Sequence, residues 1–142
     1  MTDHAATVRR FYELISAGDL EGFGELLADD FVEHEDLPGG GTGRDVPKQL
    51  FAMFRAGFPD LRFAAEEVLT AGDKVVVRAR VTGTHQGEFM GIPPTGNSID
   101  VPVIDIIRFG DDGLAHEHWG IMDQMRMMQQ LGVAPAPREP VA

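Results

Sequence analysis

A chain of 142 residues with 43% hydrophobic and 25% charged side chains is long enough for one real core and too short for two, and its composition excludes wholesale disorder and fibrous repeats. The 23 acidic against 12 basic residues leave a net charge of −11, a field that repels phosphate backbones and anionic headgroups, so neither nucleic acid nor a membrane is expected as a partner. With no cysteine there is no disulfide framework, thiolate zinc site or cysteine nucleophile.

The opening MTDHAATVRRFYEL lacks the apolar run of a secretion signal, and nothing later approaches the ~20 apolar residues of a membrane span; a cytoplasmic location is the expectation. Ten of the twelve basic residues are arginine, which with the Ala and Gly content hints at GC-rich bacterial coding. From Asp3 to Ala17, apolar Ala5, Val8, Phe11, Tyr12 and Ile15 recur at three- and four-residue steps, the signature of an amphipathic helix stopped by Gly18. Asp19 suits the N-cap of a second short helix, with Leu20, Phe23, Leu26 and Leu27 on one side. DDFVEHED is a brief extended segment, and the glycine-rich LPGGGTGRD, residues 37 to 45, is a loop. Pro47 fits the first turn of a third helix with Leu50, Met53 and Phe54 inward, ended by FPD at 58 to 60.

From Leu61 the pattern turns to strands: LRFAAEEVLTA, KVVVRARVTGTH, SIDVPVIDIIRF and LAHEHWGIM. AGD and GDDG mark hairpins within the first and last pairs. The middle two are joined by the irregular loop QGEFMGIPPTGN. MDQMRMMQQLG closes with a helical turn or two. One domain over residues 1–132 and a disordered tail over 133–142 follow. Helices first and a meandering antiparallel sheet afterwards imply an α+β fold, with helices gathered on one side of a strongly curved sheet and a cavity between them.

These segments resemble, in order and spacing, the SnoaL-like polyketide cyclases, often labelled ester cyclases, of the nuclear-transport-factor-2-like (NTF2-like) superfamily. The resemblance runs from about Val8 to Gly132, through VRRFYELISAGDLEGFGELLADDFVEHE, FPDLRF, GTHQGEFMGIPPTGNSIDVPVIDIIRF and GLAHEHWGIMDQMRMMQQLG. It implies a cone-shaped, mostly antiparallel barrel with its site in the cavity, no cofactor, and a homodimer or homotetramer. The scaffold hosts many chemistries, so the site has to be argued from its residues.

Asp105 stands in VPVIDIIRF, where residues two apart share a face, so it lies with Val103 and Ile107. A carboxyl buried there becomes a general base or a neutral acid, or else pairs with Arg78 or Arg80 of the adjacent strand. In the last strand, alternation groups His116, His118, Gly120 and Met122 against Glu117, Trp119, Ile121 and Asp123. The resemblance puts His118 on the pocket side as catalytic; the alternative is an imidazole bonded across the sheet. Trp119 and Asp123 match a recurrent family pair, which makes Trp119 a candidate substrate contact and Asp123 a candidate catalytic carboxylate, although Trp119 reads first as packing and Asp123 more simply as a helix cap. The archetypal cyclases carry their acid/base aspartate two residues after this histidine, where this chain has Gly120. In FVEHED, Phe31, Glu33 and Glu35 alternate with Val32, His34 and Asp36; the resemblance favours His34 as the inward, catalytic residue.

His34, His118 and Asp105 or Asp123 also admit a two-histidine, one-carboxylate metal reading, against which the resemblance implies metal-free chemistry. Phe89, Met90 and Ile92, apolar residues on a surface loop, are expected at the pocket mouth as substrate contacts, with Val103 and Met122 on its wall. His85 is left as a turn or rim residue. The chemistry that results is cofactor-independent acid/base catalysis, an aldol-type cyclisation or enolisation, on a hydrophobic carbonyl substrate. Epoxide or ester hydrolysis beside Arg78 or Arg80, isomerisation or dehydration, and a non-catalytic binding or dimerisation module are the rivals. An open pocket of about 300 Å³ or more with Asp105 and His118 converging favours the enzyme; a dry core with Asp105 on an arginine favours the module.

Overall fold

The computed structural model of the protein describes residues 3–35 and 41–135. Its elements run α1 (His4–Ala17), α2 (Leu20–Gly24), β1 (Leu27–Glu33), β2 (Gly41–Thr42), α3 (Asp45–Gly57), β3 (Arg62–Ala71), β4 (Lys74–Thr84), β5 (Ser98–Phe109), β6 (Ala115–Met122) and α4 (Gln124–Gln130). The expected tail falls, from residue 136 on, outside the described residues, as do Asp36 and most of the first glycine run.

Local signals set the helix ends. The Asp3 carboxylate accepts the Ala6 N–H at 3.0 Å, and Gly18 closes α1 in the left-handed conformation, φ +81°, that a side chain would resist. Asp19 caps α2 by accepting from the Gly22 N–H at 2.9 Å. α1 is then fixed to its surroundings: the Arg55 guanidinium donates to the carbonyls of Ile15 and Ser16 at 3.2 Å each, and the Ser16 hydroxyl accepts from the Phe63 N–H at 3.0 Å.

The six strands form one open sheet in the order β2-β1-β6-β5-β4-β3. All neighbours are antiparallel except β1 and β6, which run parallel with Glu33 opposite His118. Two departures from the sequence expectation follow. β1 starts at Leu27, earlier than the DDFVEHED segment, and Gly41–Thr42 form a short strand inside the expected loop. Both come from pairing that a local pattern does not encode: β1 finds its partner in a strand more than eighty residues away, and β2 adds to its free edge.

One face of β4 and β5 is a ladder of Val75, Val77, Ala79, Val81, Ile99, Val101, Val103, Ile107 and Phe109, all buried, against which Val8, Phe11 and Ile15 of α1 pack within the same core. Burial of such a continuous apolar surface is the main stabilising term of the fold. The other face of β5 carries Asp100, Ile104 and Ile106, exposed or half-buried. The helices and the inner face of the sheet enclose the chamber described next.

Candidate active site

The polar groups of the chamber hang on one row of cross-strand pairs. On the cavity face, Val103 lies opposite Met122, Asp105 opposite Gly120 and Ile107 opposite His118, while Val77 flanks Asp105 from β4. The His118 ring bridges diagonally, its Nε2 at 2.7 Å from Asp105 Oδ1 and its Nδ1 at 2.7 Å from Glu33 Oε1. The second Asp105 oxygen accepts the Tyr12 hydroxyl of α1 at 2.5 Å. Glu35, two residues beyond Glu33, is held by its backbone N–H, which donates to Glu33 Oε1 at 2.9 Å. A single hydrogen-bonded chain thus runs Tyr12, Asp105, His118, Glu33 across α1, β5, β6 and β1.

Everything else around it is apolar. Phe11, Ile15, Phe23, Leu27, Phe31 and Leu50 are among the residues that share the cavity with these five polar ones, and the cavity measures about 50 Å³. That is room for a few waters or one small functional group, well short of the several hundred Å³ of a typical ligand site, so a larger substrate enters only as the aromatic and aliphatic walls move apart. Asp105 and His118 converge as expected of an enzyme, while the volume falls short of that expectation.

The environment dictates charge. Both His118 nitrogens face carboxylates, a geometry that calls for two N–H donors and hence imidazolium; burial opposes the charge, but Asp105 and Glu33 prevail and push its pKa up to about 10. Burial raises the Tyr12 phenol far above its ordinary value, and the Asp105 charge adds to this, so its hydroxyl remains a donor. Glu35 is pushed up to about 7, chiefly by burial, with the charges of Asp105 and Glu33 adding and that of His118 opposing.

No arginine touches Asp105 among the described residues. Arg78 pairs with Glu66 and Glu67, and Arg80 with Asp100, because odd and even positions of β4 face opposite ways. The ion pair considered from sequence is therefore replaced by the His118 and Tyr12 contacts.

Of the other sequence candidates, Val103 and Met122 line the cavity. His34 does not: Phe31, Glu33 and Glu35 are the inward set of their segment, and His34 lies outside, 2.8 Å from Glu117 and stacked on Trp119 with ring centroids 4.8 Å apart. Strand alternation places His34 and Trp119 together on the outer side, where neither meets the chamber. Asp123 lies off the cavity as well and caps α4, accepting from the Arg126 N–H at 3.0 Å.

The loop residues are likewise elsewhere. Phe89 is buried against Phe54 and Phe58, with centroids 4.9 and 5.3 Å away. Met90 and Gly91, at φ +50° and +79°, form the tip of a tight turn closed by reciprocal Phe89 and Ile92 backbone bonds, which turns Met90 to solvent. None of the three lines the cavity. His85 is fully buried rather than at a rim, its Nδ1 accepting from the Thr95 N–H at 3.2 Å. The residues that sequence reasoning passed over are Tyr12, Glu33 and Glu35; the alternation of Phe31, Glu33 and Glu35 was the available signal.

The two-histidine metal reading does not assemble, since His34 and His118 lie on opposite faces. Glu33, Glu35 and His118 do each bring one possible ligand atom within 4.8 Å of the others, with both His118 nitrogens already engaged by carboxylates, Nδ1 by Glu33 and Nε2 by Asp105. Among the described residues, no helix is long and apolar enough to cross a membrane.

The SnoaL-like polyketide cyclase family profile matches residues 5–131. The chain belongs to that family. Among solved structures it is similar to IdmH of Streptomyces antibioticus, provisionally labelled a polyketide cyclase, at 35% identity and TM-score 0.80, over 92% of this chain and 99% of that one. AclR of Streptomyces galilaeus, provisionally labelled a hydroxylase, is 27% identical with TM-score 0.84, over 96% of this chain and 85% of that one. A SnoaL-like protein of Jannaschia sp. CCS1 is 28% identical with TM-score 0.82, over 93% of each chain. These similarities identify the α+β architecture as the NTF2-like fold. No curated protein matches the chain.

As a SnoaL-like protein, the chain departs from the implied family pattern at Gly120, and the geometry gives a reason. A Cβ on Gly120 would stand 2.7 Å from His118 Cε1 and 2.9 Å from Asp105 Oδ1, closer than real contacts allow. The space that a side chain on Gly120 would need is taken by the His118 ring and by the Asp105 carboxylate of β5. Gly120→Ala is expected to lower stability by about 1–3 kcal/mol in urea unfolding and to drop the His118 pKa as the ring is displaced, measured by NMR of the imidazole.

Glu35 and His118 each bind more protons folded than unfolded, so their contribution to stability is expected to fall as pH rises. Glu35 drives the fall from its ordinary 4.5 to about 7, and His118 drives it from 6.5 to about 10. Urea midpoints across that range measure both steps, and Glu35→Gln is expected to remove the first, a change of about 3 kcal/mol.

Proposed function

We propose that this SnoaL-like protein is a cytoplasmic, cofactor-independent enzyme that removes a proton alpha to a carbonyl of a hydrophobic substrate, leading to enolisation or aldol-type cyclisation. The observation that carries this reading is the Asp105–His118–Glu33 contact, a carboxylate, an imidazolium and a second carboxylate at the wall of an apolar chamber. Its charged ring rules His118 out as the base near neutral pH, so that role falls to Asp105, while the imidazolium lowers the energy of the developing enolate by its positive potential in a dry site. Hydrolysis of an epoxide or ester with help from Arg78 or Arg80 loses its basis, because both point away from the chamber. Isomerisation or dehydration shares the same first proton abstraction.

A non-catalytic binding module is favoured by one observation, the small cavity. Proton exchange distinguishes the two. In deuterated water the wild type is expected to exchange the alpha protons of aromatic polyketide-like ketones, and Asp105→Asn and His118→Ala to slow this by about a hundredfold or more. Exchange that survives both substitutions would remove the mechanism.

We also propose a homodimer or homotetramer assembled through the outer face of the sheet. Ile104 and Ile121 are cross-strand partners there, 44% and 78% exposed, beside the Ile106–Trp119 pair; a row of large apolar side chains on a protein this acidic calls for a cover. Ile121→Asp is expected to shift the mass in light scattering from oligomer to monomer while leaving the far-UV spectrum unchanged.

A further inference from the structure

The polar groups of the chamber are not equally free to meet a substrate. Tyr12 donates its one proton to Asp105. His118 commits both nitrogens, to Asp105 and Glu33. Each Asp105 oxygen already accepts one bond, and Glu33 Oε1 accepts two. Glu35 alone among the five makes no side-chain hydrogen bond within the described residues, though its backbone is pinned to Glu33 and its carboxyl lines the cavity. It also stands within 4.8 Å of ring and carboxylate atoms of His118 and Glu33.

From that geometry we infer that Glu35 is a catalytic residue: the carboxylic acid that delivers a proton to the substrate's carbonyl oxygen while Asp105 removes the proton from the alpha carbon. The inference rests on the acid/base reading above and deepens it. In the step, the alpha C–H bond breaks and its proton bonds to Asp105. The freed pair becomes the C=C bond, the carbonyl π pair moves onto oxygen, and oxygen takes the Glu35 proton, whose O–H pair stays on the carboxylate. An enol, a protonated Asp105 and a Glu35 carboxylate result, and no other reactant is needed. The new carboxylate is formed close to the His118 imidazolium, so the charge appears where an opposite one already waits.

The groups that face Glu35 fit this role. Glu33 of β1 and Asp105 of β5, with burial, favour the neutral acid and His118 of β6 favours the anion, the Tyr12 phenol of α1 stays neutral, and the α3 side contributes the apolar Pro47, Leu50, Phe51 and Phe54. The balance leaves Glu35 able to give and regain a proton near pH 7, where general acid catalysis is most effective.

The test compares wild type, Glu35→Gln and Glu35→Asp in ketone deuterium exchange between pH 5 and 9, with folding checked by circular dichroism. Wild-type exchange is expected to decline above about pH 7. At pH 6, Glu35→Gln should be slower by about a hundredfold and lack that inflection, and Glu35→Asp should recover part of the rate. A folded Glu35→Gln protein within about twofold of wild type, with the inflection intact, overturns the role of Glu35 while leaving the acid/base reading in place. If the wild type exchanges nothing, the acid/base reading fails. Carbonyl-labelled [¹³C]acetophenone then judges Glu35 separately: a downfield carbonyl shift on binding to wild type at pH 6, absent with Glu35→Gln, upholds it as the donor to a bound carbonyl. Equal shifts in the two proteins, or no binding, overturn it.

Discussion

An imidazolium buried between two carboxylates is the constraint on which the rest of the structure turns. A charge taken out of water is tolerated only with close partners of opposite sign, and removing one partner leaves the others exposed to the full cost of burial. His118 therefore fixes Glu33 and Asp105, and Asp105 fixes the phenol of Tyr12. Those four residues come from β1, β6, β5 and α1, so one chain of hydrogen bonds ties the parallel edge of the sheet to the first helix across the chamber.

The same constraint explains Gly120. His118 and Asp105 are not direct cross-strand partners; they are diagonal neighbours, with Gly120 beside Asp105 and Ile107 beside His118. Diagonal side chains meet at hydrogen-bond distance only when nothing stands between them. A glycine that looks like a lost catalytic position in the linear pattern is, in space, what lets the aspartate of the next strand reach the histidine.

Much of this was legible in one dimension. Alternation in VPVIDIIRF put Asp105 among Val103 and Ile107, and alternation in HEHWGIM separated His118 and Met122 from Trp119 and Ile121, as found. The helices were readable from apolar spacing and their aspartate caps. Where inference went through resemblance instead of parity it placed His34 inward, and the strand put Glu33 and Glu35 there. Tyr12 was hidden because a tyrosine at helical apolar spacing is indistinguishable from core packing until its hydroxyl is seen to have a partner. Phe89, Met90 and Ile92 misled because an apolar loop residue can be a buried plug or a turn tip as readily as a pocket wall.

The sequence by itself determined the fold class, the order of the main helices and strands, which residues of a strand share a face and the acidic, cysteine-free character of the chain, because these depend on local periodicity and composition. Only the tertiary structure decided that β1 lies parallel against β6, that Arg78 and Arg80 face away from Asp105, and that four polar residues spread over more than a hundred positions form one hydrogen-bonded chain. Those outcomes depend on long-range register and on distances of a few ångströms between distant segments, and neither is encoded in the spacing of neighbours.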